Sequence, residues 1–298
     1  MKGVVIKTVG NLYTVQLNNK IFKCNYRGKN KLRNNFSNPI VSGDIVEVEL
    51  IDKETGIIED IYDRKNYFLK KSLKDNKAHI IAANIDQALI MGSIKSPYTK
   101  LKFIDKCIAA SFFYGIKPIV LFNKIDLLNK KEEEKLKEIS SIYKDLNIKL
   151  FTISVKKKTN INEVSKILNN RKTLIIGNSG IGKSSLINFL TGKKSQKTDK
   201  LSLKTGRGKQ TTTFSEIFKI KNKGTLVDTP GFKDFYFYDI DRNDLKFLYP
   251  EFKSENNQCK FNNCNHQNEP GCIIKKNINK SISEKRYNNY LSILNEID

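Results

Sequence analysis

The stretch TLIIGNSGIGKSSLINFL, residues 173–190, decides the central part of the fold. Its first four residues, of which three are apolar, predict a short buried strand, while residues 185–190 predict the first turns of a helix. Between them, residues 177–184 match every fixed position of the pattern G-x-x-x-x-G-K-[ST]. That pattern requires a preceding strand and a following helix. The sequence therefore predicts a phosphate-binding loop in an α/β domain.

In such a loop, backbone N–H groups close around phosphate oxygens and the helix N-terminus adds partial positive charge. We expect Lys183 to reach the β- and γ-phosphates of a nucleotide, and the Ser184 hydroxyl to bind Mg²⁺. An ordinary glycine-rich turn is the alternative, but the complete match and the flanking elements favour the phosphate loop. The predicted nucleotide-binding residues here are Gly177, Asn178, Ser179, Gly180, Ile181, Gly182, Lys183 and Ser184.

A second motif, Asn123-Lys124-Ile125-Asp126, follows the apolar run KPIVLF, which predicts a central parallel strand. Open α/β sheets bind ligands at the carboxyl ends of such strands. The Asp126 carboxylate can accept hydrogen bonds from the N1–H and the exocyclic amino group of guanine. Adenine does not present these donors together, so the motif predicts GTP or GDP as the ligand. Ser154, at the end of a further strand-like run, is a candidate for base contact.

The order of these motifs is unusual. In an ordinary GTPase the phosphate loop precedes the base-reading motif, whereas here residues 123–126 precede residues 177–184. The rotated order predicts a circularly permuted GTPase domain. Alternating strand and helix patterns predict that its sheet is mostly parallel and covered on both sides.

Two later segments complete the predicted site. The run GTLVDTPG, residues 224–231, places Asp228 after an apolar strand, where it is expected to hold Mg²⁺ through water, and the Gly231 N–H is expected to sense a γ-phosphate. The run TGRGKQTTT, residues 205–213, is suited to a mobile switch. Thr211 or Thr212 would complete the Mg²⁺ shell, and we take Thr212 as the candidate, although a plain loop is the alternative.

The ends of the chain predict two further domains. Strand-like segments at 3–8, 12–17, 21–26, 44–50 and 56–61 predict a small β-barrel, of which the OB fold is one kind. Beyond it, residues 64–78 predict a basic linker. Near the other end, the spacing C-x4-C-x-H-x5-C predicts a tetrahedral site for one structural zinc ion. Residues 283–297 predict a closing helix. The predicted zinc ligands are Cys259, Cys264, His266 and Cys272.

The overall composition bears on partners. The formal charge of +23, from 54 basic and 31 acidic residues, favours a polyanionic partner, although the lysine content can also reflect genome composition. Lys29, Lys31 and Arg33 are candidate RNA contacts or simply a solvated loop. No apolar run approaches the length of a membrane span and the N-terminus lacks a secretory signal, so we expect a cytoplasmic protein with no membrane partner.

Together these motifs resemble the RsgA family of small ribosomal subunit biogenesis GTPases along nearly the whole chain. The resemblance implies an OB-type β-barrel at 1–70, a circularly permuted α/β P-loop GTPase domain at 71–234 and a small zinc-binding domain with a helix at 235–298. It implies GTP hydrolysis, Mg²⁺, one structural Zn²⁺, and the small (30S) ribosomal subunit with its 16S rRNA as the partner. The protein is expected to act as a monomer in late subunit maturation and to leave on hydrolysis.

The catalytic residues are less clear from the sequence. Lys183 and Thr212 are the candidates beside the phosphates. Many GTPases have a water-orienting Gln directly after the Asp-x-x-Gly motif, but this chain has Phe232 there, so slow hydrolysis is expected without a partner. Family members commonly carry a His before the switch threonines, where this chain has Gln210. An amide can orient water but cannot act as a general base near neutral pH.

Two other functions remain open. The protein can be a GTPase that acts on another RNA or on a protein complex. It can also be an RNA-binding protein with a vestigial nucleotide site, but the intact Asp126, Lys183, Ser184 and Asp228 argue against this. Because residues 205–231 run directly into the C-terminal part, a change of nucleotide state is expected to reposition that part.

Overall fold

Alternating apolar residues fold the first sixty residues into a barrel. The computed structural model describes residues 1–27, 38–71, 78–192, 215–221, 223–229, 235–253, 255 and 258–297. Within them, β1 pairs with both β2 and β4, which closes a barrel of five strands. The strands are β1 (Lys2–Val9), β2 (Leu12–Leu17), β3 (Lys20–Tyr26), β4 (Ile45–Leu50) and β5 (Thr55–Ile61). Each strand predicted from the sequence is confirmed.

The segment after the barrel differs from its prediction. Residues 64–78 were expected to be a basic linker, yet β6 (Tyr67–Lys71) lies within it and pairs with β7 (Ala78–Ala83). The strand forms here because the side chains of Phe68 and Leu69 are fully buried, and Lys70 and Lys71 continue its pairing with β7. Residues 72–77 lie outside the described part of the chain.

A central sheet follows, with its strands in the order β10-β9-β8-β11-β13-β12. All neighbours in it are parallel except β12, which runs antiparallel to β13. The strands are β8 (Gln87–Gly92), β9 (Lys117–Phe122), β10 (Lys149–Thr152), β11 (Lys172–Ile176), β12 (Glu216–Lys219) and β13 (Thr225–Asp228). The predicted parallel sheet is thus confirmed.

Helices cover both faces of this sheet, which explains its continuous apolar strands. The first four helices are α1 (Leu101–Phe113), α2 (Lys130–Asp145), α3 (Ile161–Ile167) and α4 (Lys183–Thr191). Successive residues of one strand face opposite sides: Ile90 packs in the core with α1 and α2, whereas Leu89 packs with α3 and α4. The helices therefore bury the strands from both sides.

The barrel and the central sheet are joined by backbone pairing, which the sequence did not predict. The first part of β1 pairs with β4, and the register shifts between Val5 and Lys7. After that shift Lys7 pairs with Glu216 of β12. One continuous sheet of eleven strands results within the described residues.

The C-terminal part consists of short helices, α5 (Arg242–Leu245), α6 (Pro250–Lys253) and α7 (Ile273–Lys276), and a longer one, α8 (Glu284–Leu294). The predicted closing helix is confirmed as α8, which buries Tyr287, Tyr290, Ile293 and Leu294 and contacts α1. In the described ranges, no helix combines the length and the apolar character needed to cross a membrane.

A buried ionic network fixes α8 against the GTPase part. The Arg286 guanidinium contacts an Asp105 carboxylate oxygen at 2.5 Å and donates twice to Glu251, at 2.7 and 3.0 Å. Asp105 also accepts from the Tyr143 hydroxyl at 2.7 Å and from the Asn289 amide at 2.6 Å. Arg286 and Asp105 are 2% and 1% exposed. Each buried charge therefore has an opposite charge and hydrogen bonds that offset its loss of hydration.

Replacing Arg286 with alanine tests this network. The Arg286→Ala variant leaves the carboxylates of Asp105 and Glu251 buried without their cation, so its free energy of unfolding should fall by about 3–5 kcal/mol. Urea unfolding followed by circular dichroism measures the change. Arg27→Ala is the control, because Arg27 is exposed and lies 3.9 Å from its partner Glu59. Equal losses in the two variants would contradict a stabilising role for the network.

Candidate functional site

Loops from four parallel strands meet at one edge of the central sheet. The strands β8, β9, β11 and β13 all end at this edge, because parallel neighbours point the same way. The motif at 123–126 follows β9, and the loop at 177–182 follows β11. Ligands bind at such edges in open α/β sheets. The two motifs are therefore neighbours in space despite their rotated order.

Asn123 and Lys124 connect the two motifs directly. The Asn123 amide donates to the Ile181 carbonyl at 2.8 Å and accepts from the Val155 N–H at 3.2 Å. The Lys124 ammonium contacts the Gly180 carbonyl at 2.7 Å, and burial lowers its pKa. Both side chains thus hold the phosphate loop against the base-reading loop, which fixes the span between a bound base and its phosphates.

A serine orients the predicted base-reading carboxylate. The Ser154 hydroxyl donates to one oxygen of Asp126 at 2.6 Å and accepts from the Lys157 N–H at 3.0 Å. Ser154 is fully buried, whereas Asp126 is partly exposed. Contact of Ser154 with the base stays a prediction; in the structure its side chain lies against Asp126. This contact holds the carboxylate in one orientation.

The phosphate loop runs from β11 into α4 and requires glycine at two places. Gly182 has a φ of +98°, and a Cβ there would lie 2.4 Å from the Asn123 amide nitrogen. At Gly177 a Cβ would lie 2.7 Å from the Met91 carbonyl oxygen. Any side chain would push the loop away from its neighbours. The glycines therefore keep the backbone close enough to surround a phosphate.

Lys183 lies at the first residue of α4 and bends back over the loop. Its ammonium donates to the carbonyls of Gly177 at 2.7 Å and Asn178 at 3.0 Å. Burial lowers the pKa of Lys183, and the charge of Asp228 acts in the opposite direction. The ammonium and this carboxylate are thus close enough to interact. The lysine is held within the loop that it is predicted to serve.

Asp228 is the last residue of β13 and is almost fully buried. Its neighbour Thr229 donates its hydroxyl to the Ile175 carbonyl at 2.9 Å, which fixes the turn after the strand. Because β11 and β13 are parallel neighbours, Asp228 at the end of β13 lies at the same sheet edge as Ser184 in the first turn of α4. The remaining predicted site residues, Gln210, Thr211, Thr212, Gly231 and Phe232, lie outside the described residues.

A second cluster lies in the C-terminal part. The ligand atoms of its four predicted residues lie within 4.8 Å of one another, and all four residues are buried. The His266 Nδ1 is 3.6 Å from the Cys259 Sγ, 3.3 Å from the Cys264 Sγ and 3.4 Å from the Cys272 Sγ. Tetrahedral zinc with ordinary Zn–N and Zn–S bonds would separate nitrogen from sulfur by about 3.5 Å. The donor set therefore fits zinc.

Contacts around His266 that the sequence did not reveal support this cluster. The Glu269 carboxylate accepts the N–H groups of Asn265 and Gln267, both at 2.7 Å. The Tyr287 hydroxyl donates to the His266 carbonyl at 2.7 Å. Burial lowers the pKa of His266 to about 4, and the nearby Lys246 acts in the same direction. The imidazole is therefore neutral near pH 7, as a metal ligand must be.

Residues 61–238 match the family model described as RsgA GTPase, and residues 2–58 match that of the RsgA N-terminal domain. The chain belongs to the RsgA GTPase family. This confirms the resemblance seen in the sequence, and it makes the protein a GTP-hydrolysing enzyme that uses a guanine nucleotide and Mg²⁺.

Relatives and solved structures agree with this assignment. Small ribosomal subunit biogenesis GTPase RsgA of Flavobacterium psychrophilum is 37% identical, covering 99% of this chain and 92% of that protein. RsgA 2 of Bacteroides thetaiotaomicron is 36% identical, covering 99% and 97%. The crystal structure of YjeQ from Thermotoga maritima has a TM-score of 0.78 at 30% identity, covering 99% and 98%. YloQ, a circularly permuted GTPase, shares the fold with a TM-score of 0.73 at 22% identity, covering 99% and 94%.

Replacing Asp126 tests the reading of guanine in this RsgA-family site. Asp126→Asn replaces one of the two carboxylate oxygens that accept from guanine with an N–H donor, so GTP binding should weaken by about 2–4 kcal/mol, and binding of xanthosine triphosphate should improve. Fluorescence titration with both nucleotides measures the change. Asp52→Asn, the same substitution at an exposed barrel residue, should alter neither affinity. Unchanged GTP affinity in Asp126→Asn would remove the base-reading role.

Proposed function

We propose that this protein is a GTP-driven assembly factor that binds the small (30S) ribosomal subunit, supports its late maturation and leaves when GTP is hydrolysed. The observation that carries the proposal is the contact of Asn123 and Lys124 with the phosphate loop, which assembles a guanine-nucleotide site on a chain that also carries a barrel and a Cys3His cluster. The relatives named small ribosomal subunit biogenesis GTPase supply the target.

In this proposal the nucleotide lies along the sheet edge. Asp126, oriented by Ser154, accepts from guanine, and Asn123 and Lys124 hold the loop beneath the ribose and phosphates. Lys183 leaves the loop carbonyls for the β- and γ-phosphates, which supply a stronger, charged acceptor. Residues 177–184 surround the phosphates with N–H groups and the start of α4.

Ser184 and Asp228 are the proposed protein side of the Mg²⁺ site, and Thr212 and Gly231 are its proposed switch contacts. Ser184 in the first turn of α4 and Asp228 at the end of β13 share the sheet edge. A bound Mg²⁺ ion neutralises charge that develops on the phosphates. The buried carboxylate of Asp228 is poised for such a cation because few waters can reach it.

We propose a structural zinc ion for the Cys3His cluster. Three thiols and one neutral imidazole fill all four positions of a tetrahedral site and leave none for a substrate. The cluster ties residue 259 to residue 272, in a region with only short helices. Zinc would therefore supply folding free energy to this part of the chain.

The proposed partner is the 16S rRNA of the subunit, met by the barrel and the C-terminal part of a monomeric, cytoplasmic protein. The formal charge of +23 provides a long-range attraction to a polyanion. The proposed domains are residues 1–70, 71–234 and 235–298. These bounds divide the sequence and not the sheet, because β1 of the first domain pairs with β12 of the second.

Co-sedimentation with purified 30S subunits tests the proposal. The protein should pellet with 30S in the presence of a non-hydrolysable GTP analogue and much less with GDP. Lys183→Ala, which loses the phosphate clamp, should pellet equally in both conditions. Nucleotide-dependent binding to a different RNA or protein complex, without binding to 30S, would support the alternative GTPase function instead.

Hydrolysis should depend on the partner, because Phe232 cannot orient the attacking water. The isolated protein should bind GTP but hydrolyse it slowly, and 30S subunits should raise kcat. Phosphate release measures both rates. Gln210→Ala separates two cases: a large loss of the stimulated rate assigns the water-orienting role to Gln210, and no change removes it. Lys183→Ala should abolish turnover with and without subunits.

The zinc proposal predicts one tightly bound zinc per chain. Cys264→Ala removes one ligand, so it should release the metal and unfold mainly the region beyond residue 235. Elemental analysis and limited proteolysis measure these effects. Cys24→Ala is the matched control, because Cys24 is equally buried but lies in the barrel. Wild-type protein without zinc, or zinc retained in Cys264→Ala, would contradict the proposal.

A further inference from the structure

The barrel holds the point where the chain leaves the predicted switch stretch. That stretch, residues 205–213, is followed closely by Ser215, the first residue that the structure describes after position 192. Ser42 of the barrel donates its hydroxyl to the Ser215 carbonyl at 2.8 Å and accepts from the Ser215 hydroxyl at 3.2 Å. Ser42 is fully buried, so water does not compete for these hydrogen bonds.

The next residue, Glu216, is held by the barrel as well. Its backbone pairs with Lys7 of β1, and the Lys7 ammonium lies 2.9 Å from its carboxylate. Two consecutive residues are therefore attached to the barrel by hydroxyl, backbone and ionic contacts.

The other side of β12 faces the nucleotide site. Glu216 lies directly across from Asp228 in the antiparallel pairing of β12 with β13. Asp228 is the last residue of β13, at the sheet edge where the nucleotide motifs lie. One strand therefore separates the barrel from the proposed Mg²⁺ ligand.

The barrel loop that carries Ser42 is itself rigid. Gly43 has a φ of +102°, and a Cβ there would lie only 2.1 Å from the Ala83 carbonyl oxygen. The adjacent Asp44 is fully buried and accepts two hydrogen bonds from Arg64, both at 2.7 Å. The loop at residues 42–44 therefore resists displacement by movement of β12.

The C-terminal part is attached differently. The sequence predicts that it responds to the switch, and its buried Arg286 network fixes it to α1. The contacts described above give the barrel the direct connection to the strand that leaves the switch stretch.

We propose that Ser42 and Lys7, both in the barrel, are positioning residues for GTP hydrolysis. By holding Ser215 and Glu216 they fix β12 beside β13 and so hold the Asp228 carboxylate in place, which reduces the conformational entropy lost in reaching the reactive arrangement. A ligand that distorts the barrel at β1 would then change the hydrolysis rate. The proposal rests on the GTPase activity of the family and not on the ribosomal target.

Steady-state hydrolysis by the full-length protein with Mg²⁺ tests it. Ser42→Ala should lower kcat about three- to tenfold and Lys7→Glu about two- to fivefold. The dissociation constant for GDP should not change, because residues 123–126 and 177–184 carry those contacts. Combining Lys7→Glu with Glu216→Lys restores the ion pair and should restore kcat.

Arg27→Glu is the matched control. It makes the same change of charge in the barrel, but Arg27 pairs with Glu59 and not with β12, so kcat should stay unchanged. Unchanged kcat in both Ser42→Ala and Lys7→Glu would overturn the proposal. So would a loss of kcat that Arg27→Glu shares, a parallel loss of GDP affinity, or a failure of the exchanged pair to restore the rate.

Discussion

The parallel pairing of β8, β9, β11 and β13 is the constraint on which the nucleotide site depends. Because these strands point the same way, the loops that follow them must emerge at one edge, whatever the order in which the chain visits them. Hydrogen bonding between strands depends on register and direction and not on the position of the termini. The base-reading loop therefore meets the phosphate loop, and Asn123 reaches Ile181 across 58 positions of sequence.

Two different kinds of contact hold the flanking parts to this sheet. The barrel is joined through backbone pairing, a pair of serine hydroxyls and the partly exposed Lys7–Glu216 ion pair. The C-terminal part is joined through the ionic network of Arg286, Asp105 and Glu251, in which removal of one partner leaves a buried charge. Salt should weaken the ion pair of the barrel joint more than the C-terminal network, because buried pairs are screened less than exposed ones.

Much of the fold and of the candidate site was predictable because its signals are local. The phosphate-loop motif, the barrel strands and the Cys3His cluster each lie within a short stretch of sequence that carries its own signal. The β1–β12 joint was not predictable, because a single pair, Lys7 with Glu216, joins residues 209 positions apart. Strand β6 was not predicted because the lysines around Phe68 and Leu69 made the stretch resemble a basic linker. The role of Arg286 was not predictable either, since its partners Asp105 and Glu251 lie on other elements and a single charge gives no periodic signal.

The distance in sequence between Asp105 and Arg286, 181 positions, has a consequence for synthesis. A chain emerging from the ribosome exposes α1 long before α8 is made. Until α8 is made, the Asp105 carboxylate cannot pair with the Arg286 guanidinium and therefore cannot be buried with it. Burial of an unpaired carboxylate is costly, so the face of α1 that receives α8 stays hydrated during translation. The nascent protein can complete its barrel early. It can close the outer face of the GTPase part only after α8 has left the ribosome.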